Sequence, residues 1–339
     1  MRPPLLAIVL CLSCACGVGP AGTPDAGTLD AGTPDAGTPD AGAGTGSWTH
    51  LQGAIPTNAS VDAMAAIGST LIVSTGDPGI AFRTSDHGAT WTSSALSTDG
   101  GVLVPVYALS ARGTTLFASA DDVYESADNG ASWRALHAVS VPVNMVSVGT
   151  AGGSIFVGPY AAGLLSSRDD GATWQPTGLT IGYVHQMLYT GVNLLVADAF
   201  GDGVSISPDL GTTFTPANTG LPNPANNSMQ SLAIHGNVLF AGSGGNGVYT
   251  STNGGASWAA SNTGMITPLL VNAVQALLVN GNTIYAGTDQ GVFSSTNDGA
   301  SWRYLSGDIP TYVRVDSLAT DGTYLYAGMY SAGLWRHAL

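Results

Sequence analysis

Residues 251–258 read STNGGASW, a phrase with no acid, no base and no nucleophile beyond plain hydroxyls. It returns as TSDHGATW from Thr84, SADNGASW from Ser126, SRDDGATW from Ser167, SPDLGTTF from Ser207 and STNDGASW from Ser295. Six copies thus share one pattern, [ST]-x-[DN]-x-G-x-[ST]-[WF]. The third position is Asp86, Asp128, Asp169, Asp209, Asn253 or Asn297, and the last is Trp91, Trp133, Trp174, Phe214, Trp258 or Trp302. An Asx side chain stabilises a turn by bonding nearby backbone, and Gly supplies a positive φ. Asn replaces Asp in two copies, a swap that a turn tolerates and that catalysis or metal binding would not. The phrase therefore reads as structural.

The glycines of the six copies lie 40 to 44 residues apart. Before each copy stand strand-like runs such as NVLFAGSGGNGVYTS and NTIYAGTDQGVFSS, rich in β-branched and aromatic residues and broken by Gly and Asn. Four short strands in a unit of about 42 residues are the period of a β-propeller blade. After the sixth copy, SLATDGTYLYAGMYSAGLWRHAL supplies three more strands and stops where a seventh phrase would begin. At the other end SWTHL matches the tail of the phrase, with Trp48 one period before Trp91. The expectation is an all-β, single seven-bladed propeller of four-stranded antiparallel blades over residues 47–339, its last blade closed by the N-terminal strand, which leaves no exposed edge.

These phrases resemble the Asp-box (bacterial neuraminidase) repeats of sialidases, xyloglucanases, sortilin-type receptors and photosystem II assembly factors. The resemblance implies that each box turns between a blade's third and fourth strands, with its aromatic residue wedged between blades. With strands lettered A to D from the channel outward, the boxes share a side with the A–B turns. Ligands in the superfamily meet the opposite side, built from the B–C and D–A loops. A sialidase would need three arginines there, plus a Tyr–Glu pair and an Asp. Only Arg314 falls on that side, and Glu125, the only Glu, precedes a box. The xyloglucanase cleft needs two tandem propellers, and this chain has one. The Arg-rich patch of the photosystem assembly family has no counterpart among the dispersed arginines.

Composition excludes further classes. A net charge of −14, with no Lys and eight Arg, offers no basic patch for nucleic acid or anionic lipid. The six His residues show no metal-ligand spacing, so neither metal nor cofactor is expected. All three cysteines fall within residues 11–16, leaving the propeller without disulfides. The opening MRPPLLAIVLCLSCAC reads as a secretory signal over residues 1–16 and resembles that of bacterial lipoproteins, with Cys16 as the first candidate for lipidation and Cys14 as the second. Residues 17–46 hold a Thr-Pro-Asp-Ala-Gly repeat with almost no large apolar side chain. It reads as a disordered stalk that reaches roughly 30 Å as a coil and about 90 Å fully extended. The protein is expected to be exported to the cell envelope, as an outer-membrane lipoprotein or in secreted form. It should touch the membrane only through its anchor and remain monomeric.

Two sets of residues fall on the open side. Aligning the seven innermost strands gives a polar ring of Asp62, Tyr107, Asn144, His185, Gln230, Gln275 and Asp316 near the channel mouth. These groups either grip a small polar ligand or bond backbone across the blade seams, since an unpaired buried polar group is costly. The second set stands on B–C loop tips: Tyr160, Phe200 and Tyr330, with Asp289 in a shorter neighbouring loop. Exposed aromatics suit protein hot spots and sugar stacking, and equally suit packing on adjacent loops. The functional expectation is a non-catalytic protein-interaction or scaffold module. The alternative is a glycan-binding or glycan-hydrolysing propeller.

Overall fold

The computed structural model describes residues 47–339 apart from 76–78, 99, 138–144, 161–162, 181, 200, 223–227, 266–272 and 311–312. Cys16 and the repeat stalk therefore lie outside the described residues, as do Asn144 and Phe200. Seven four-stranded antiparallel sheets form the blades. Blade 5 is representative, with strand A at Met229–His235, B at Val238–Ser243, C at Val248–Ser251 and D at Ala259–Ala260. Inner strands pack on the inner strands of neighbouring blades, and strand A of blade 7 (Val315–Thr320) packs on that of blade 1 (Ala63–Ile67), so the sheets close into a ring. The closure is the expected one. Trp48–Leu51 pairs antiparallel with Gly333–Ala338, placing Trp48 opposite His337 and Leu51 opposite Leu334.

The apolar runs of the B strands are continuous because each strand is buried on both faces, and successive side chains serve different neighbours. Leu71 and Val73 belong to the core shared with blade 7, whereas Ile72 lies in that shared with blade 2. Leu239 and Ala241 likewise pack towards blade 4, and Phe240 towards blade 6. The hydrophobic core is thus spread over the seams between blades.

Each box is the C–D turn that the repeat implied. Asp128 Oδ1 accepts the Ser132 N–H at 2.9 Å, and its Oδ2 accepts the Ser132 hydroxyl at 2.6 Å. Ser126 Oγ donates to the same carboxylate at 2.8 Å and accepts the Gly130 N–H at 2.8 Å. In the Asn boxes the outer bond reverses: Asn253 Nδ2 donates to Ser257 Oγ at 2.8 Å, and Asn297 Nδ2 to Ser301 Oγ at 2.9 Å. The turn survives because a hydroxyl both donates and accepts.

The box glycine is required twice over. Gly255 has φ of +90°, and a Cβ there would stand 2.6 Å from Ile206 of blade 4. Gly171 repeats this against Leu136 of blade 2 at 2.7 Å. Every box therefore rests on the blade before it. The box aromatics divide into two groups. Trp258 and Trp302 are buried, and their indole N–H groups donate to the Ala217 and Ser261 carbonyls of the preceding blade, each at 2.8 Å. Trp91, Trp133, Trp174 and Phe214 are only half-buried. The difference lies in the preceding loop. Thr219 and Thr263, each followed by Gly, accept the backbone N–H of Trp258 and Trp302 at 2.8 Å and clamp them into the seam.

Two outcomes follow for stability. Gly255→Ala imposes both the strained φ and the clash, and should cost about 2–4 kcal/mol in a denaturant or thermal melt. The second concerns acid. Side-chain and backbone donors from Thr90 or Ser132 hold Asp86 and Asp128 down at about 2, below the ordinary 3.8. A depressed folded pKa contributes stability above the ordinary value and loses it as pH falls towards about 2. Replacing all four box Asp residues by Asn should leave the neutral-pH melt nearly unchanged and flatten its decline between about pH 4 and pH 2.

Candidate functional site

The ring position is created by an irregularity of strand A. In blade 7, Val315 pairs with Met329 and Ser317 with Gly328, so Asp316 is an extra, unpaired residue. The same one-residue bulge frees His185, Gln230 and Gln275 in blades 4, 5 and 6. In blades 1 and 2 the strand begins just after the equivalent residue, with the Asp62 and Tyr107 N–H groups donating to Ser74 and Ser119. Bulged residues are turned out of the ladder, and these line the channel mouth. In blade 3 the bulge falls between Met145 and Ser147, so Val146 holds the place expected for Asn144. The stretch VSVPVNMVSV alternates at several registers, and the expected register was two residues early.

Asp62, Tyr107, Val146, His185, Gln230, Gln275 and Asp316 line one cavity of about 480 Å³, together with Tyr183, Ala199 and Arg314. Most of these side chains also line the channel below, about 430 Å³. On one side Arg314 grips Asp316, with Nε donating to Oδ1 at 2.5 Å and Nη2 to Oδ2 at 3.3 Å. Its guanidinium also lies 4.5 Å above the Tyr330 ring. Burial, and then the charge of Asp316, raise Asp62 to about 6, against the opposing pull of Arg314. Burial also raises Asp316, opposed by its bond to Arg314.

The other side is aromatic. Tyr183 meets Tyr160 edge-on at 5.3 Å and His185 at 6.4 Å. Burial, then the neighbouring Tyr160 and Tyr107 hydroxyls, raise the Tyr183 phenol. His185 Nδ1 lies 2.8 Å from the Gln230 carbonyl of blade 5, and because a carbonyl only accepts, Nδ1 carries the proton. Burial lowers the His185 pKa, so the ring is neutral at physiological pH. His185 thus makes the seam bond anticipated for the whole ring. Gln230 instead donates to Ser228 in its own blade at 2.6 Å.

The loop residues are mixed in placement. Tyr160 and Tyr330 pack on Tyr183 and Arg314 and remain half-exposed, so both readings of these loops describe part of the geometry. Asp289 does not line the mouth cavity. It sits in the B–C turn of blade 6 with its N–H donating to Ala273, and burial raises its carboxyl. Tyr183 was missed by sequence reading, although it directly precedes the Val184 that anchors the aligned strand. A second omission is the hairpin that places Val102 and Leu103, 65 % and 42 % exposed, between blades 1 and 2. Its signal was the Gly100-Gly101 pair directly ahead of the apolar run Val102-Leu103-Val104.

Three further arginines are occupied away from the mouth. Arg112 pairs with Asp170 at 2.6 Å, Arg134 with Glu125 at 2.5 Å, and Arg336 stacks on Tyr324. Among the described residues no cluster of His, Cys, Asp and Glu has the arrangement of a metal site.

No family model matches the chain, and no curated protein does. Solved structures match closely in shape. YCF48 bound to D1 peptide superposes with a TM-score of 0.68 at 16% identity, covering 89% of this chain and 99% of that one. Catalytically inactive virginiamycin B lyase from Staphylococcus aureus, with quinupristin, gives 0.68 at 11% identity over 87% and 99%. The extracellular domain of a one component system from B. thetaiotaomicron gives 0.64 at 13% identity over 86% of this chain and 39% of that one. At such identities the likeness is one of fold: this chain is a seven-bladed β-propeller.

Proposed function

We propose that this chain is an exported, non-catalytic binding module that captures a segment of a partner protein on its open loop face, held at the cell envelope by a lipid on Cys16. The distribution of exposed apolar side chains carries the reading. Of the eight large ones among the described residues, Val102, Leu103, Tyr107, Tyr160 and Tyr330 lie on the open face. Val192 and Leu339 lie on the box side and Tyr304 on an outer strand. Aromatic anchors gathered around a concave mouth are what protein hot spots are built from. That YCF48 carries a peptide on the same fold supports the reading by analogy. An extracellular neighbour agrees with export.

The glycan reading draws on the half-exposed Tyr160 and Tyr330 rings and on the nearness of Asp62 to Asp316. Hydrolysis needs one carboxylic acid and one free carboxylate. Here both oxygens of Asp316 are engaged by Arg314, which argues against its service as a base or nucleophile.

Two measurements test the proposal. Changing Tyr160, Phe200 and Tyr330 together to Ala should weaken cross-linked recovery of the native envelope partner by about a hundredfold while leaving the melt unchanged. Undiminished recovery, or saturable binding on a polysaccharide array lost in Asp62→Asn, would favour the glycan module instead. Separately, Cys16→Ser should move the protein from the membrane fraction to the soluble fraction.

A further inference from the structure

We propose that the mouth cavity receives a basic side chain, the ammonium of a lysine or the guanidinium of an arginine, from the captured segment. This rests on the reading of the open face as a protein-binding surface and specifies its ligand chemistry. Of the three charged groups that line the cavity, two neutralise one another, because Arg314 is spent on Asp316 and on the Tyr330 face. That leaves Asp62, whose carboxylate has no hydrogen-bond donor among the described residues. A half-buried carboxylate that accepts no hydrogen bond is what an incoming cation satisfies, and what an apolar or anionic side chain would leave worse off.

The rest of the lining agrees. His185 spends its proton on the Gln230 carbonyl, so its other nitrogen is an acceptor. Gln230 spends a side-chain amide hydrogen on Ser228, which leaves its side-chain oxygen Oε1 as a further acceptor. Tyr107 and Tyr183 add π faces to the wall, which favour a cation once it is desolvated. About 480 Å³ holds a long side chain with its stem among the tyrosines and a few waters. The whole chain, at −14, attracts a basic segment from a distance.

The titratable and charged groups that line the cavity with Asp62 are Arg314 and Asp316 of blade 7, Tyr107 of blade 2, and Tyr183 and His185 of blade 4. In the unliganded protein Asp62 takes up its proton near pH 6, and His185 titrates lower than usual. Both protonations oppose a cation. A ligand that needs the ionised carboxylate should therefore bind about tenfold more weakly at pH 5 than at pH 7.

The test is selection of a random ten-residue peptide display library on the wild-type protein at pH 7.5, with selected peptides measured by fluorescence polarisation. Selected sequences should share one Lys or Arg. Its exchange for norleucine should raise Kd about tenfold or more, as should Asp62→Asn. The two changes together should cost little more than either alone, and each should flatten the pH dependence. Norleucine exchange and the pH series use the unaltered protein, so the test stands even where the Asp62 variant melts early. Binders that need no basic residue, or a norleucine exchange worth less than twofold, would overturn the cation while leaving segment capture intact. A library that yields no binders would remove segment capture, and this assignment with it.

Discussion

Neighbouring blades meet closely near the axis where strand B of one carries a residue too small to obstruct the next. A Cβ on Gly242 would stand 2.7 Å from Val274, one on Gly287 2.8 Å from Val315, and one on Gly328 2.4 Å from Val61. Seated on these glycines, Val274, Val315 and Val61 bring adjacent sheets together near the axis. Beside them a serine ties the backbones. Ser231 donates to the Val274 carbonyl at 3.1 Å and Ser317 to the Val61 carbonyl at 2.8 Å. The second of these crosses the junction between the last blade and the first, so the same contact that stacks the blades also seals the ring.

That seam explains where the polar ring comes from. In blade 7, Val315 faces blade 6 and Ser317, two residues later, faces blade 1, yet in a regular strand residues two apart share one face. Inserting one unpaired residue between them lets both keep their seam contacts and sends the extra side chain towards the axis. His185, Gln230, Gln275 and Asp316 occupy those insertions and take no part in the pairing of strands A and B. The bulge leaves a main-chain carbonyl looking for a donor, and at Gln230 the His185 imidazole supplies it. Chemical variety at the mouth is therefore cheap in stability.

Legibility in the sequence follows the same division. Blade number, strand order and closure were readable because a turn that needs Asx, Gly and an aromatic residue in fixed places leaves a repeating mark. The ring was largely readable too, since a polar residue after an apolar one at each strand head stands out. It misplaced blade 3, where Val146 sits in an alternating apolar run and offers no such contrast. Tyr183, Val102 and Leu103 were not found because loops do not repeat, and their positions depend on what they pack against. The burial of Trp258 and Trp302, against the half-exposure of Trp91 and Trp174, depends on Thr-Gly pairs in another blade, a pairing that only the closed ring brings together.

The aspartates show how one side chain serves both purposes. In the boxes each carboxylate receives hydroxyl and amide donors from its own turn, and Asp86, Asp128, Asp169 and Asp209 are all held below the usual range. Such a group has nothing left to offer a ligand, and Asn can replace it. At the mouth the balance inverts: Asp62 is more buried than any box aspartate, gains no donor from its own strand, and rises to about 6. A protein that merely needed a folded ring would have little reason to keep an unsatisfied carboxylate there, since a neutral residue would remove the cost of burying it. The stability forgone at that position is what an incoming donor can restore, and the mouth cavity leaves room for one to arrive.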